Sequence, residues 1–470
     1  RQPLNSSRQN LLIVSTHKDN KDEGLIRGLG VFDSTMIVIG VVVGSGIFMT
    51  SGLMAESLLS PSLLLLAWIV GGLHALAGGL TYAELGAAIP KAGGQYIYLR
   101  EAFGRLPAFL FGWVSFSVYL TGVVAAVAVA FSAYASTFFP SISPNNIIIT
   151  SPITISAGQV IAVVMIFLFS AVNYIGLGVG KTVQNVITVI KIASIIIFVI
   201  AGLAVGTETP DFRLSFQFDG FSSMITAFGG GLVAVFWTFG GWEYVTAVGG
   251  EIRNPQKNLP RALLIGTGVA TVLYLLLNIV YLRALPMDEM AGIVTIGETA
   301  AKSLFGSLGG RFMVIAIIIS VIGALNGAVL TGPRVYYAMA QDGLFFKHAA
   351  EIHPRYHTPA KAIIYQAVWA SILTLSGTFE QLITFVVVVN LLLWIAGAAA
   401  VFALRKNRPE LPKPYKTWGY PWVPALFIIF SIFFVLATLL DGPLEALAGI
   451  GLTLLGLPIY FYWDKSNNYR

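Results

Sequence analysis

Two glycine clusters and two isolated charges interrupt otherwise apolar stretches of this chain. Gly44-Ser45-Gly46 lies in the middle of VIGVVVGSGIFMTSG, four residues after Gly40, and Phe239-Gly240-Gly241 in the middle of AVFWTFGGWEYV. Each glycine disfavours helix by about 1 kcal/mol relative to alanine. A helix broken within hydrocarbon leaves backbone N–H and C=O groups unpaired, which is tolerated only where they line a cavity or hold something. Freed N–H groups at the positive end of a half-helix attract an anion such as a carboxylate. Freed carbonyls at the opposing end attract a cation such as an ammonium. A zwitterionic amino acid carries both groups at fixed spacing and matches such a pair of breaks. The same glycines also suit close helix packing, since Gly40 and Gly44 have GxxxG spacing. Glycine content alone does not separate the two readings.

The charges sharpen the question. Lys191 sits within QNVITVIKIASIIIFVIAGL, ten residues beyond Lys181, or ~15 Å along a helix at 1.5 Å per residue. Snorkelling serves lysines near helix ends, and this one is too deep for it. It is either a structural cation paired with a nearby carbonyl or acid, or a functional one, as intramembrane charges commonly are. Glu243 follows the second break and reads as an acid facing a water-filled inner vestibule, or as a partner for Lys191 or for a cationic substrate. His74 is the one histidine inside a hydrophobic stretch, where packing or hydrogen bonding accounts for it better than a ligand role. The chain has no cysteine, which excludes disulfides, thiolate chemistry and cysteine-held metals. No nucleophile, base and metal groups converge, so nothing points to an enzyme, and nothing calls for a metal or another cofactor.

The elements that position these residues are membrane helices. Of 470 residues, 56% are hydrophobic and 11% charged, and mean hydropathy is +0.80; soluble domains carry about 25% charged residues. Apolar stretches of roughly 20 residues, enough to span a bilayer, occur at about 32–55, 61–88, 106–136, 156–175, 184–205, 222–248, 260–283, 311–340, 360–377, 382–404, 422–440 and 442–463. The net charge of +6 resides in short clusters between these stretches, which speaks for membrane orientation and against nucleic acid. With the N-terminus inside, 23 of the Lys and Arg residues face the cytoplasm and four the outside, with Lys191 inside a span. Both termini are therefore expected in the cytoplasm. The residues before Phe32 lack a signal-peptide layout and read as a loose tail. Residues 91–104 are amphipathic and are expected along the inner membrane surface. The long connection 284–310 is expected to contain short helices.

Five segments, in order, resemble the amino acid–polyamine–organocation superfamily and, within it, the L-amino-acid transporter family. They are GLGVFDSTMIVIGVVVGSGIF (28–48), TYAELGAAIPKAGGQYIYLREAFG (81–104), FGGWEYVTAVGGEIRNPQKNLPRA (239–262), LNGAVLTGPRVYYAMAQDGLFF (325–346) and ALRKNRPELPKPYKTWGYP (403–421). The resemblance extends from about Leu29 to Trp463 and is nearest to bacterial alanine/serine/cysteine-type exchangers. It implies an all-α integral membrane protein of 12 transmembrane helices in a 5+5 inverted-repeat, leucine-transporter-like fold, with helices 1 and 6 broken. Two interrupted spans, each leading a group of five, agree with that. The expected organisation is a cytoplasmic tail over 1–27 and one transporter domain over 28–463. Within that domain, 28–205 and 206–404 are the repeats and 405–463 helices 11 and 12, and a C-terminal tail follows over 464–470.

The resemblance further implies sodium-independent exchange of small neutral amino acids such as alanine, serine and threonine across the plasma (inner) membrane. It places the substrate carboxylate at Gly44, Ser45, Gly46 and Ile47, and the ammonium at carbonyls near Val42, Trp237 and Gly240. Asn390 matches a pocket-side position in span 10. Lys191 matches the family's span-5 lysine, where related transporters bind Na⁺, and Tyr274 a span-7 tyrosine that positions the inner end of span 1. Trp237 stands at the aromatic gate, where larger-substrate members carry phenylalanine, and so implies a small pocket; lipid-facing or core packing is the alternative. Two features depart from the family. Residues 137–155 hold no cysteine for the disulfide that joins eukaryotic members to a glycoprotein heavy chain, and Glu243 stands where neutral residues are usual. The acid motivates a second expectation, a cationic amino acid or polyamine antiporter.

Overall fold

Glycine, proline and side-chain caps set where the helices begin and end. The computed structural model describes residues 24–151, 154–213, 221–376, 379–441 and 443–468; most of the expected tail 1–27 and the final two residues lie outside these ranges. Helix α1 (Val31–Val42) starts where the Asp33 carboxylate accepts the Gly30 N–H at 2.8 Å. It stops at Val43, whose φ of −76° and ψ of 76°, with Gly44 N–H bonded back to the Val42 carbonyl at 2.8 Å, form an inverse γ-turn. A single 3₁₀ turn (Gly46–Phe48) and α2 (Thr50–Leu58) complete the first broken segment.

Next come α3 (Pro61–Ala88), α4 (Gln95–Phe103), α5 (Arg105–Val114) and α6 (Leu120–Ala135), the last two joined by a π turn at Ser115–Tyr119. Strands β1 (Ile147–Ile149) and β2 (Ile155–Ser156) pair antiparallel in the following connection, a small departure from an all-α chain. Helix α7 (Ala157–Tyr174) opens with a capping box between Ser156 and Gln159, and α8 (Leu177–Val205) begins seven residues ahead of the expected span. Helix α9 (Phe221–Phe239) ends at the second break, and a 3₁₀ segment (Trp242–Glu251) continues the chain.

Helices α10 (Pro255–Ala284), α11 (Met287–Met290), α12 (Ile296–Thr331), α13 (Pro333–Gln341), α14 (Ala360–Leu375), α15 (Phe379–Asn407), α16 (Trp422–Asp441), α17 (Pro443–Leu454) and α18 (Gly456–Asn468) follow. The connection 284–310 does contain helices, α11 and the part of α12 before its kink at Gly306. The stretch expected as one span at 442–463 is two helices reaching Asn468. Pro458 gives the reason: it lacks the N–H that would bond back to Leu454, where the first of the two helices stops.

Among the described residues, nine helical segments are long and apolar enough to cross a membrane. The expected spans 222–248, 360–377 and 442–463 fall on the interrupted α9, the 16-residue α14, and the pair α17 and α18. Bulky apolar side chains such as Ile197, Ile200, Leu308 and Ile429 point outward; so much exposed apolar surface fits lipid, not water. Exposed Trp418, Trp422 and Tyr462 suit a membrane–water interface.

Inside, α1 packs against α8, α10 and α12, while α9 packs against α2, α3 and α16. The two broken segments are thereby held in the middle of the bundle. One end is locked by charge. Arg334 donates to both oxygens of Glu251 at 2.7 and 2.9 Å with both side chains buried, and the Glu251 carbonyl accepts from Gly28 and Leu29. At the same end Arg405 bridges to Glu84 at 2.7 Å, and Lys181 to Asp33 at 3.1 Å. Residues 91–104 do not lie along a surface as expected. Gln95 to Leu99 are buried against α15 and α5, and Tyr96 and Arg100 both bind Asp342. The aromatic and aliphatic face of this helix finds a protein partner, so it has no need of lipid.

Candidate functional site

The two breaks touch. Gly241 has φ +97°, and a Cβ there would come within 2.4 Å of Val41 in α1. Only glycine meets both conditions, a left-handed backbone and a close neighbour. A Cβ on Gly46 would lie 2.8 Å from the Thr238 hydroxyl oxygen, and Thr50 and Thr238 hydroxyls are 2.8 Å apart. Glycine at these points lets the first broken segment seat directly on the second.

The carbonyls released at the end of α1 are taken by side chains from three other helices. Lys191 on α8 donates to Gly40 and Val43 carbonyls at 2.9 and 2.6 Å. Ser320 on α12 places its hydroxyl 2.7 Å from the Val43 carbonyl and 3.2 Å from that of Gly44. Tyr274 on α10 places its hydroxyl 2.7 Å from the Val42 carbonyl and 3.1 Å from that of Thr238, tying the two breaks together. A cation at a helix C-terminus also answers the negative pole of its dipole. The other side of the break is different. Ser45, Gly46 and Ile47 begin a new helical segment, and the first N–H groups of such a segment have no preceding turn to bond to.

These groups border a cavity of about 80 Å³. A buried water needs roughly 10–15 Å³ on this measure, so the space suits a solute of only several non-hydrogen atoms. Val42, Gly44, Ser45, Gly46, Trp237, Gly240 and Asn390 all line it. Ile47 is buried and, alone among the expected binding residues, does not line it. The Val42 carbonyl already accepts from Gly44 N–H and Tyr274. Lys191 and Tyr274 stand behind the break as described, outside the lining.

Glu243 is not a water-facing acid. It is buried, and its Oε1 accepts from the Tyr119 hydroxyl at 2.7 Å. It does not pair with Lys191, which is occupied with α1 carbonyls. The reason is the tight 3₁₀ path after Gly241, which turns Glu243 in toward the helix carrying Tyr119 instead of out into a vestibule. His74 makes one hydrogen bond, to Ser431 at 2.9 Å, and stacks on Phe427, which agrees with packing. Among the described residues, no group of three or more His, Asp or Glu is placed to hold a metal.

Sequence reading missed Tyr119, Thr238, Tyr244 and Ser320. Tyr119, Thr238 and Tyr244 line the cavity, and Ser320 caps the break. Thr238 and Tyr244 flank the Gly240-Gly241 break, and that adjacency is a usable signal. Ser320 carries none, because a serine hydroxyl in an apolar helix ordinarily bonds to its own backbone, and Tyr119 carries none, because a lone tyrosine in an apolar helix is ordinarily packing.

Helices broken in mid-bundle around a small cavity, within a shell of lipid-facing side chains, define a multi-pass membrane transporter for a small solute. The chain belongs to the amino acid permease family, whose family model matches residues 29–450. It is an amino acid transporter and not an enzyme, with L-amino-acid transporters among its relatives. It is 33% identical to the serine/threonine exchanger SteT of Bacillus subtilis over 95% of this chain and 98% of that protein. It is 30% identical to the human b(0,+)-type amino acid transporter 1, over 94% and 89%. It is 29% identical to the mouse large neutral amino acids transporter small subunit 2, over 94% and 82%.

Proposed function

We propose that this transporter is a sodium-independent exchanger of small neutral L-amino acids such as alanine, serine and threonine, working by alternating access. One observation carries the reading: the carbonyls freed at the α1 break are occupied by Lys191, Tyr274 and Ser320, while N–H groups at Ser45 to Ile47 begin a helix beside a small cavity. The substrate carboxylate binds those N–H groups. Its ammonium binds carbonyls at the α9 break, near Trp237 and Gly240, because the Val42 carbonyl already has two donors. Lys191 fills with its own charge the place where a sodium ion would otherwise neutralise the end of α1. Trp237 limits side-chain size.

In this reading the chain has twelve spans, with 28–205 and 206–404 as inverted repeats and 405–463 as helices 11 and 12. It sits in the plasma membrane with both termini in the cytoplasm. It has no cysteine, so no partner subunit is joined to it by a disulfide. The test is uptake of radiolabelled alanine into proteoliposomes. Internal alanine should stimulate it, and removing Na⁺ should leave it unchanged. Uptake that requires a Na⁺ gradient and gains nothing from internal substrate defeats the proposal.

A second reading, exchange of cationic amino acids or polyamines, is favoured by Glu243, a buried acid with no ion-pair partner among the described residues. Competition by lysine, arginine or putrescine stronger than by serine would select it.

A further inference from the structure

We propose that Tyr119, aimed by Glu243, is a specificity-determining residue that reads a hydroxyl on the substrate side chain, so that serine and threonine are preferred over their apolar isosteres; this rests on the neutral-exchanger reading above. Tyr119 ends the π turn Ser115–Tyr119. Such single-turn bulges re-aim side chains within otherwise regular helices and recur at functional sites. Here the turn puts Tyr119 on the wall of the central cavity and on that of a smaller chamber of about 20 Å³, which Glu243 also lines.

The phenol has one hydrogen, and Glu243 Oε1 takes it at 2.7 Å. With the carboxyl ionised, or with its proton on Oε2, Oε1 is the acceptor and the phenol the donor. What Tyr119 can then offer a ligand is its oxygen as an acceptor. Asn390 on α15 adds a second one, for its Oδ1 is buried, has no hydrogen-bond partner among the described residues, and belongs to a side chain lining the same cavity. A ligand that buries Asn390 Oδ1 without supplying a donor leaves it unpaired, which is costly, whereas the Tyr119 oxygen also has the Tyr244 hydroxyl beside it. A site built to bond a hydroxyl discriminates against the analogue that lacks it. Glu243 lines the smaller chamber and not the central cavity, whose wall here is Tyr119, so a short hydroxyl suits this wall.

Threonine and valine are the deciding pair, because they differ only in hydroxyl against methyl. In proteoliposomes loaded with alanine, threonine should inhibit labelled alanine uptake at about tenfold lower concentration than valine, as one hydrogen bond of ~1.4 kcal/mol would produce. Tyr119→Phe should bring that ratio close to one. Glu243→Gln, whose carbonyl still accepts from Tyr119, should retain most of it. Glu243→Leu, which removes the group that aims the phenol, should weaken it. A Tyr119→Phe protein with the wild-type threonine-to-valine ratio, or a wild type with no preference, overturns the proposal. If a variant takes up nothing, the melting temperature of purified protein in detergent decides. Stabilisation by threonine over valine should vanish in Tyr119→Phe, and its persistence overturns the proposal. A wild type that exchanges lysine but not alanine fails the neutral-exchanger reading itself, and this inference falls with it.

Discussion

Lys191 serves two carbonyls that the end of α1 sets free, and it does so from inside the bundle. Replacing it by alanine leaves those carbonyls short of a donor, at a cost of about 1–3 kcal/mol for a buried group, and removes the positive charge that answers the negative pole of α1. Ser320 still reaches the Val43 carbonyl, so the fold should survive. Exchange by Lys191→Ala is expected to fall about tenfold or more, the equivalent of ~1.4 kcal/mol or above, with monodisperse protein in detergent. Wild-type uptake by such protein would remove Lys191 from the mechanism. Trp237 makes the opposite kind of prediction. It lines the cavity, and Trp237→Phe should widen it, so that leucine and phenylalanine become effective competitors of alanine uptake. An unchanged competition panel would place size selection elsewhere. Lys191 was legible in the sequence because a charge in an isoleucine-rich stretch has few innocent explanations. Glu243 was conspicuous too, but its setting was misjudged, since the path of the chain after Gly241 decides which way it faces and no local pattern encodes that path.

At the scale of elements, the breaks were readable because glycine clusters inside apolar stretches are costly without a reason. The π turn in the third span, the kink at Gly306 and the division of the last span were not. The first two leave apolar periodicity almost intact, and Pro458 falls where a single proline is common in membrane helices. The amphipathic pattern of 91–104 was seen correctly and given the wrong partner: amphipathicity says that one face is apolar, and α15 covers it here in place of lipid. The buried Arg334–Glu251 pair is likewise invisible in sequence, as its members are 83 residues apart. It fixes the end of the second broken segment to α13 and, through the Glu251 carbonyl, to the strand-like start at Gly28 and Leu29. Breaking such a pair leaves a buried charge, worth about 3–5 kcal/mol, whereas replacing both partners with apolar residues is often neutral. Arg334→Leu should therefore melt well below wild type in detergent, and Arg334→Leu combined with Glu251→Leu should regain much of the loss. Equal melting of single and double variants would show that the pair does not anchor this end.

For the whole molecule, orientation follows from where the basic residues fall, and the chain permits a direct check. Segments expected inside carry 23 Lys and Arg residues against four outside, and retention of positive charge on the cytoplasmic side is the strongest orienting signal known for short loops. The buried ion pair Arg334–Glu251 and the part-buried pair Arg405–Glu84 lie toward that same basic end, whereas the β1–β2 ribbon occupies the connection after α6, toward the opposite one. Because the chain contains no cysteine, a single introduced thiol reports its own side of the membrane without any background substitution. Asn145 beside the ribbon and Lys416 in the basic connection before α16 are both exposed. In intact cells, a membrane-impermeant maleimide should label Asn145→Cys and spare Lys416→Cys, and permeabilisation should expose both. Alanine exchange by each variant confirms that the labelled protein is the assembled one, since neither residue touches the cavity. Labelling of Lys416→Cys in intact cells would invert the topology, put the basic clusters outside, and require the gating order of the two broken helices to be reassigned.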